Sequence, residues 1–197
     1  MKERQANILK LLEELPQEKI HFALSLLTPL QRESIEILAK RQTSLSAFEI
    51  KKCMIQKWYG DIWFMLSWLH SKEIITIKED RIEIVQNYPN PVLLLDKTFY
   101  PGPIDISLPT LIENFNAFLK NKEKTNQIST KEKLLKKLGV PVPSFAKIQS
   151  ELNELVVIGV LFSLPSSKRN TRDLYAINPK IAEKLVKSIE KLPSPSL

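Results

Sequence analysis

Apolar residues first recur at helical spacing in Ile8, Leu11, Leu12 and Leu15, a run stopped by Pro16. A second helical run follows through Ile20, Ala23, Leu24 and Leu27. Thr28-Pro29-Leu30-Gln31 then combines an N-cap threonine, proline at the first helical position and glutamine where a capping box wants it. The helix it opens is predicted to reach about Arg41, with Leu30, Ser34, Ile35 and Leu38 on its inner face. Ser46-Ala47-Phe48-Glu49 is another capping box, opening a helix expected to end near Trp58; Asp61 is expected to cap a third helix from Ile62 to about Ser71. Alternation in 74–78 and 81–85, split by the polar pair Glu79-Asp80, predicts a β-hairpin.

The second half repeats this order. Leu108, Leu111, Ile112, Phe115, Phe118 and Leu119 mark a first helix. Ser129-Thr130-Lys131-Glu132 reads as a capping box for a short helix stopped by Gly139, and Ser144 opens a third helix with Phe145, Ile148, Leu152 and Leu155 on one face. Residues 157–162 and 174–177 read as strands around a polar loop at 165–172, and a last helix runs from Pro179 to about Leu192. Between the halves, five of the 13 prolines fall in 87–109; proline removes a backbone donor and disfavours helix before it, so this stretch reads as an extended linker. Its apolar run Val92-Leu93-Leu94-Leu95 reads as a strand in open register, with a sheet edge of either module as its expected partner.

Three helices followed by a hairpin, twice over, resembles the winged-helix variant of the helix-turn-helix. The second copy carries the resemblance in 129–132, Gly139, 144–155, Gly159 and the 165–172 loop; the first carries it in 28–41, 46–58, 61–69 and 74–85. The resemblance implies a mainly α fold with small β-hairpins (α+β). Its expected parts are an N-terminal helical arm (1–27), a winged-helix domain (28–86), a Pro-rich linker (87–107), a second winged-helix domain with a C-terminal helix (108–192) and a tail (193–197).

Composition narrows the function. At 43% hydrophobic and 26% charged the chain reads as an ordinary globular protein, with no apolar run near the roughly 20 residues that span a bilayer. The start lacks the apolar core of a secretory signal, so cytoplasm, nucleoid or nucleus is the expected location, neither secreted nor membrane-bound. The single cysteine, Cys53, allows no internal disulfide and reads as a small core hydrophobe rather than a lysine-activated thiol. Four scattered glycines make no phosphate-cradling loop, and His21 stands at ligand spacing from no second histidine. No enzyme, metal or cofactor is expected. The net charge of +7 is uneven, with 14 Lys+Arg against 13 Asp+Glu in 1–104 and 15 against 9 in 105–197. Such asymmetry points to one half meeting a polyanion.

The third helices differ in what they offer. In the second copy the helical period turns Ala146, Lys147, Ser150, Asn153 and Glu154 outward, and the loop Ser166-Ser167-Lys168-Arg169-Asn170-Thr171-Arg172 holds three cations and no acid. Small polar residues beside a lysine suit base edges and phosphates, and a cationic loop suits a backbone or minor groove. The expected nucleic-acid contacts are Lys131, Lys136, Lys137, Ser144, Lys147, Ser150, Asn153, Lys168, Arg169 and Arg172. Glu154 counts against tight docking. In the first copy the outer face presents Trp63, Phe64, Ser67 and His70, flanked by Trp68, with no lysine or arginine between Ile62 and Ser71 and an acidic turn in its hairpin. Such a face reads as a protein-interaction surface (Trp63, Phe64, Ser67, Trp68), covered either within the chain or by a partner.

The leading expectation is therefore a protein that binds double-stranded DNA, a transcriptional regulator or a replication or partition accessory. Its second winged helix would contact duplex and its first would dimerise or dock a partner. The rival is a tandem winged-helix adaptor that holds a multiprotein complex together with no direct nucleic-acid contact.

Overall fold

The computed structural model describes residues 8–86, 88, 92–94, 104–120, 124–165 and 173–190. Among them the fold is mainly helical with a few small antiparallel strand pairs. In chain order the elements are α1 (Ile8–Glu14), a 3-10 turn (Gln17–Lys19), α2 (Ile20–Ser25), α3 (Pro29–Arg41), β1 (Leu45–Ser46), α4 (Ala47–Ser71), β2 (Ile75–Ile77) and β3 (Ile82–Ile84). Then follow β4 (Val92–Leu94), β5 (Ile104–Ile106), α5 (Leu108–Leu119), α6 (Ile128–Lys137), α7 (Phe145–Val157), β6 (Leu161–Leu164), β7 (Leu174–Ile177) and α8 (Pro179–Glu190). The chain divides into two compact units: unit 1 is Met1–Cys53 with Pro143–Leu197, and unit 2 is Met54–Val142.

Unit 1 is organised around α3. Thr28 accepts a hydrogen bond from the Gln31 backbone N–H while the Gln31 side chain accepts from the Thr28 N–H, so the capping box closes as expected. Leu30, Ser34, Ile35 and Leu38 are buried, and so are Gln31, Glu33, Glu36, Ile37 and Ala39, which makes α3 a central helix rather than a one-faced one. It packs against α7, α8 and β7. A three-stranded antiparallel sheet, ordered β1-β7-β6, closes the unit, with Leu45 opposite Tyr175 and Leu161 opposite Ile177. Ser46 and Glu49 form the second capping box at the start of α4. The N-terminal arm belongs to this unit: α1 and α2 lie against α8. Lys184 donates to the carbonyls of Leu12, Glu13 and Leu15, where the end of α1 leaves acceptors unsatisfied. Gln17 donates to the Lys184 carbonyl at 2.8 Å and to Ser188 Oγ at 2.6 Å.

Unit 2 holds the rest of α4, the β2–β3 and β4–β5 ladders, α5 and α6. Phe115 and Phe118 of α5 meet Trp63 and Tyr59 of α4, with centroids 5.5 Å apart for Trp63–Phe115 and 5.7 Å for Tyr59–Phe118. Asn116 pins the hairpin to α5 by standing in for a strand: its Oδ1 accepts from the Ile82 N–H (2.7 Å) and its Nδ2 donates to the Ile82 carbonyl (2.8 Å). The expected hairpin forms with Ile75 opposite Ile84 and Ile77 opposite Ile82. The apolar run at 92–94 does not join a sheet edge of either module as expected: it pairs antiparallel with 104–106, within the proline-rich stretch, as a separate two-stranded ladder.

Three local expectations are corrected. The helices expected at 46–58 and 62–71 are one helix, α4, of 25 residues. Gly60 costs a helix interior only about 1 kcal/mol, and buried Trp58 and Ile62 on either side outweigh it. The cap expected at Ser129 is not one: α6 begins at Ile128, with Gln127 in the extended N-cap position, so Ser129 lies within the first turn. The strand expected from Val157 begins only at Leu161, because α7 continues through Val157. It stops in a Schellman turn in which the Val160 N–H bonds the Leu155 carbonyl and Gly159 takes φ +79°.

Candidate nucleic-acid interface

Helix α7 starts where Ser144 accepts a hydrogen bond from the Lys147 N–H. Ile148, Leu152 and Leu155 are fully buried, and Phe145 is half-buried. The opposite side leaves Ala146, Ser150, Asn153 and Val157 exposed at spacings of four, three and four, a single stripe along the helix. Every side chain on it is small or short, which permits close approach of a flat or grooved partner. Val157, 86% exposed, ends the stripe.

The charged side chains of α7 are tied to their own unit. Lys147 Nζ lies 2.7 Å from Glu151 Oε1, and the other oxygen of the buried Glu151 accepts from the Thr28 hydroxyl at 2.9 Å. Glu154 accepts from Gln31 Nε2 at 3.1 Å, so this acid is turned toward α3. Asn153 Oδ1 accepts from the Tyr175 hydroxyl at 2.9 Å, and burial raises the Tyr175 phenol above its ordinary range. Lys147 remains mostly exposed despite its partner.

The ten expected nucleic-acid residues divide between the units. Lys147, Ser150 and Asn153 share α7 in unit 1 with Ser144 as its N-cap, whereas Lys131, Lys136 and Lys137 lie on α6 in unit 2. Lys131 Nζ stands 4.5 Å over the Tyr59 ring, a cation–π contact, and Lys136 pairs with Glu132 at 2.8 Å. Lys168, Arg169 and Arg172 lie in 166–172, outside the described residues. The last described pair before that segment is Leu164 opposite Leu174.

The aromatic face of α4 also divides. Trp63 is half-buried in the edge-to-face cluster with Phe115 and Tyr59, and Trp68 is half-buried. Phe64 is 55% exposed, and Ser67 is exposed with its hydroxyl donating to the Trp63 carbonyl. At the hairpin turn Lys78 and Arg81 both pair with Glu83, and their hydrogen bonding and charge hold its carboxyl below the usual range.

Two features were not read from the residues. One is the Thr28–Glu151 and Gln31–Glu154 bonding, whose only local signal is that both α3 residues also cap that helix. The other is a cavity of about 650 Å³ in unit 1 between α3, the sheet and α8, apolar at Leu38, Leu164, Ile177 and Val186 and polar or charged at Gln42, Thr43, Ser44, Glu183 and Lys187. Among the described residues no cluster of three or more His, Cys, Asp or Glu is placed to hold a metal ion. Among them, too, no helix is long and apolar enough to cross a membrane. Compared with known proteins, the chain matches no family model, no curated protein and no solved structure.

Proposed function

We propose that this chain is a DNA-binding protein, a transcriptional regulator or a replication or partition accessory, whose unit 1 works as a winged helix. Its three helices are α3, the first turns of α4 and α7; its hairpin is β6–β7. The observation that carries the reading is the uncharged, small-residue stripe Ala146, Ser150, Asn153 on the helix that leads directly into that hairpin. Between β6 and β7, residues 166–172 hold three cations and no acid, with Asp173 following them.

In this reading α7 enters the major groove, Ser150 and Asn153 face base edges, and Lys147 reaches a phosphate. Glu151 keeps Lys147 extended along the helix, and Gln31 draws Glu154 away from the duplex. Lys168, Arg169 and Arg172 contribute sequence-independent attraction to the backbone, so affinity falls steeply with salt. The exposed Phe64 of unit 2 supports a role for that unit in docking a protein partner or a second copy.

An electrophoretic shift with random duplex at two salt concentrations tests the proposal. Binding at low salt that falls steeply at high salt, and weakens strongly on the triple replacement of Lys168, Arg169 and Arg172 with alanine, is expected. Binding indifferent to salt or to the triple replacement contradicts it.

A second reading, a scaffold subunit with no nucleic-acid contact, draws on Phe64 and Val157, two large apolar side chains exposed on the third helices. No shift at low salt, together with a stable complex captured through Phe64, favours that reading.

A further inference from the structure

We infer that the chain is a duplicated module whose two copies have exchanged their third helices and hairpins within one polypeptide. The inference does not depend on nucleic-acid binding. It rests on two cuts of the same chain that disagree in a patterned way.

The first cut is the repeat. Ile62, Leu66 and Leu69 of α4 and Ile148, Leu152 and Leu155 of α7 recur at a constant offset of 86 positions, and all six are buried. The helix ends repeat at the same offset. The Ile74 N–H bonds the Leu69 carbonyl and the Glu73 N–H bonds the His70 carbonyl, as the Val160 N–H bonds Leu155 and the Gly159 N–H bonds Val156. Glu73 (φ 58°) and Gly159 (φ 79°) are the left-handed residues of the two turns. Each turn feeds a strand that starts at the same offset, Ile75 and Leu161. The second half of α4 and α7 are therefore the same structural position in two copies.

The second cut is the packing. Unit 1 sets the first-copy elements α3, β1 and the start of α4 around the second-copy elements α7, β6 and β7. Unit 2 sets the second-copy elements α5 and α6 around the end of α4 and the β2–β3 hairpin of the first copy. Specific bonds hold each mixture together: β1 pairs with β7, Thr28 and Gln31 bond Glu151 and Glu154, Tyr59 and Trp63 stack on Phe118 and Phe115, and Asn116 clamps Ile82. The unit boundary at 142/143 falls where the second helix of the second copy gives way to its third, and the boundary at 53/54 falls within α4, about two turns before Gly60.

The two junctions differ in form, but each lies between elements that pack in different units. In the first copy the helix runs on without a turn through Gly60. In the second, α6 is stopped by Gly139 (φ 84°) with the Val140 N–H on the Leu135 carbonyl, the Val142 N–H bonds the Val140 carbonyl, and the segment stays non-helical to Ser144.

The test uses the full chain with Cys53→Ser and a protease site introduced between residues 97 and 100, cut after folding. One variant carries Gln31→Cys with Glu154→Cys, and a second carries Tyr59→Cys with Lys131→Cys, each treated with a short bis-maleimide. A third, Gln31→Cys with Trp68→Cys, places the second thiol at the position equivalent to 154 in the first copy. The exchange predicts that the first two cross-links rejoin the cut halves on a denaturing gel at the size of one intact chain. Cross-linking in the third variant alone, no rejoined band in either of the first two, or bands only at the size of two chains, would each overturn it. The two exchange pairs lie in different units, so disruption of one capping residue does not decide the result.

Discussion

The second half of α4 and the whole of α7 share a buried stripe and a terminal turn, yet almost nothing on their outer sides agrees. Where α7 exposes Ser150 and Asn153, α4 has Phe64 and Ser67. Where α7 seats Glu151 and Glu154 on polar partners of α3, α4 has Met65 and Trp68, and neighbouring Trp63 and Tyr59 stack on the phenylalanines of α5. Burial of three aliphatic side chains at helical spacing is enough to keep the position in the fold. The remaining faces are free to diverge, one toward small polar groups and one toward aromatics.

The largest effect expected from this contrast is at Phe115, fully buried in the aromatic cluster of unit 2. Phe115→Ala should cost about 3–5 kcal/mol in denaturant unfolding of the full chain, the range for emptying an aromatic site. A loss under about 1 kcal/mol would mean that the ring stacking is not what seats α4. Leu66→Ala and Leu152→Ala form a matched pair at equivalent, fully buried positions, and each should cost about 2–5 kcal/mol. If one is neutral, the equivalence of the two helices breaks.

The terminal turns offer a sharper comparison with opposite signs. Glu73→Gly should stabilise by about 1 kcal/mol, because glycine enters the left-handed region without the Cβ penalty. Gly159→Ala should destabilise by about 1–2 kcal/mol, since its backbone is left-handed and an added Cβ would come within 2.8 Å of Leu9 Cδ2. Thermal melts of the two variants moving in the same direction would contradict the shared turn.

The smallest effect is at the start of α4. Hydrogen bonds from the Ser46 backbone and hydroxyl hold the Glu49 carboxyl below its ordinary range. A carboxyl whose pKa is depressed on folding contributes stability above its unfolded value, roughly pH 4.3, and loses that contribution as pH falls through the folded value. Glu49→Gln should therefore flatten the fall in stability between about pH 5 and 3 by a few tenths of a kcal/mol, as Glu49 is exposed. An unchanged acid limb in the stability–pH curve would show the box to be inert.

Much of the local architecture was legible because its causes are local. Thr28 with Gln31 and Ser46 with Glu49 announce helix starts within four residues, and alternation in 74–85 announces a hairpin. The unbroken helix through Gly60 was not legible, since a glycine and an aspartate there imitate a stop that long-range burial of Trp58 and Ile62 overrides. Nor was the partner of each apolar face: a stripe at period 3.6 says that Ile148, Leu152 and Leu155 are buried, not that α3 lies against their helix. At the candidate site, the helical period correctly turned Ser150 and Asn153 outward. It also turned Glu154 outward, but could not say that Gln31 would engage it, nor that Glu151 would sit buried between Lys147 and Thr28.

The central functional claim sets unit 1 against unit 2 as the surface that meets a polyanion, and paired triple variants decide it. Fluorescence anisotropy with a labelled random duplex across a salt series compares Lys168, Arg169 and Arg172 changed together to alanine with Lys131, Lys136 and Lys137 changed likewise. The first set should lose most of the affinity and lower the salt slope by about 3, near 0.9 for each phosphate no longer neutralised. The second should stay closer to the parent, because its three lysines lie on α6 in unit 2 rather than on α7 or beside the β6–β7 hairpin. The reverse order, or equal slopes in all three proteins, would contradict the account.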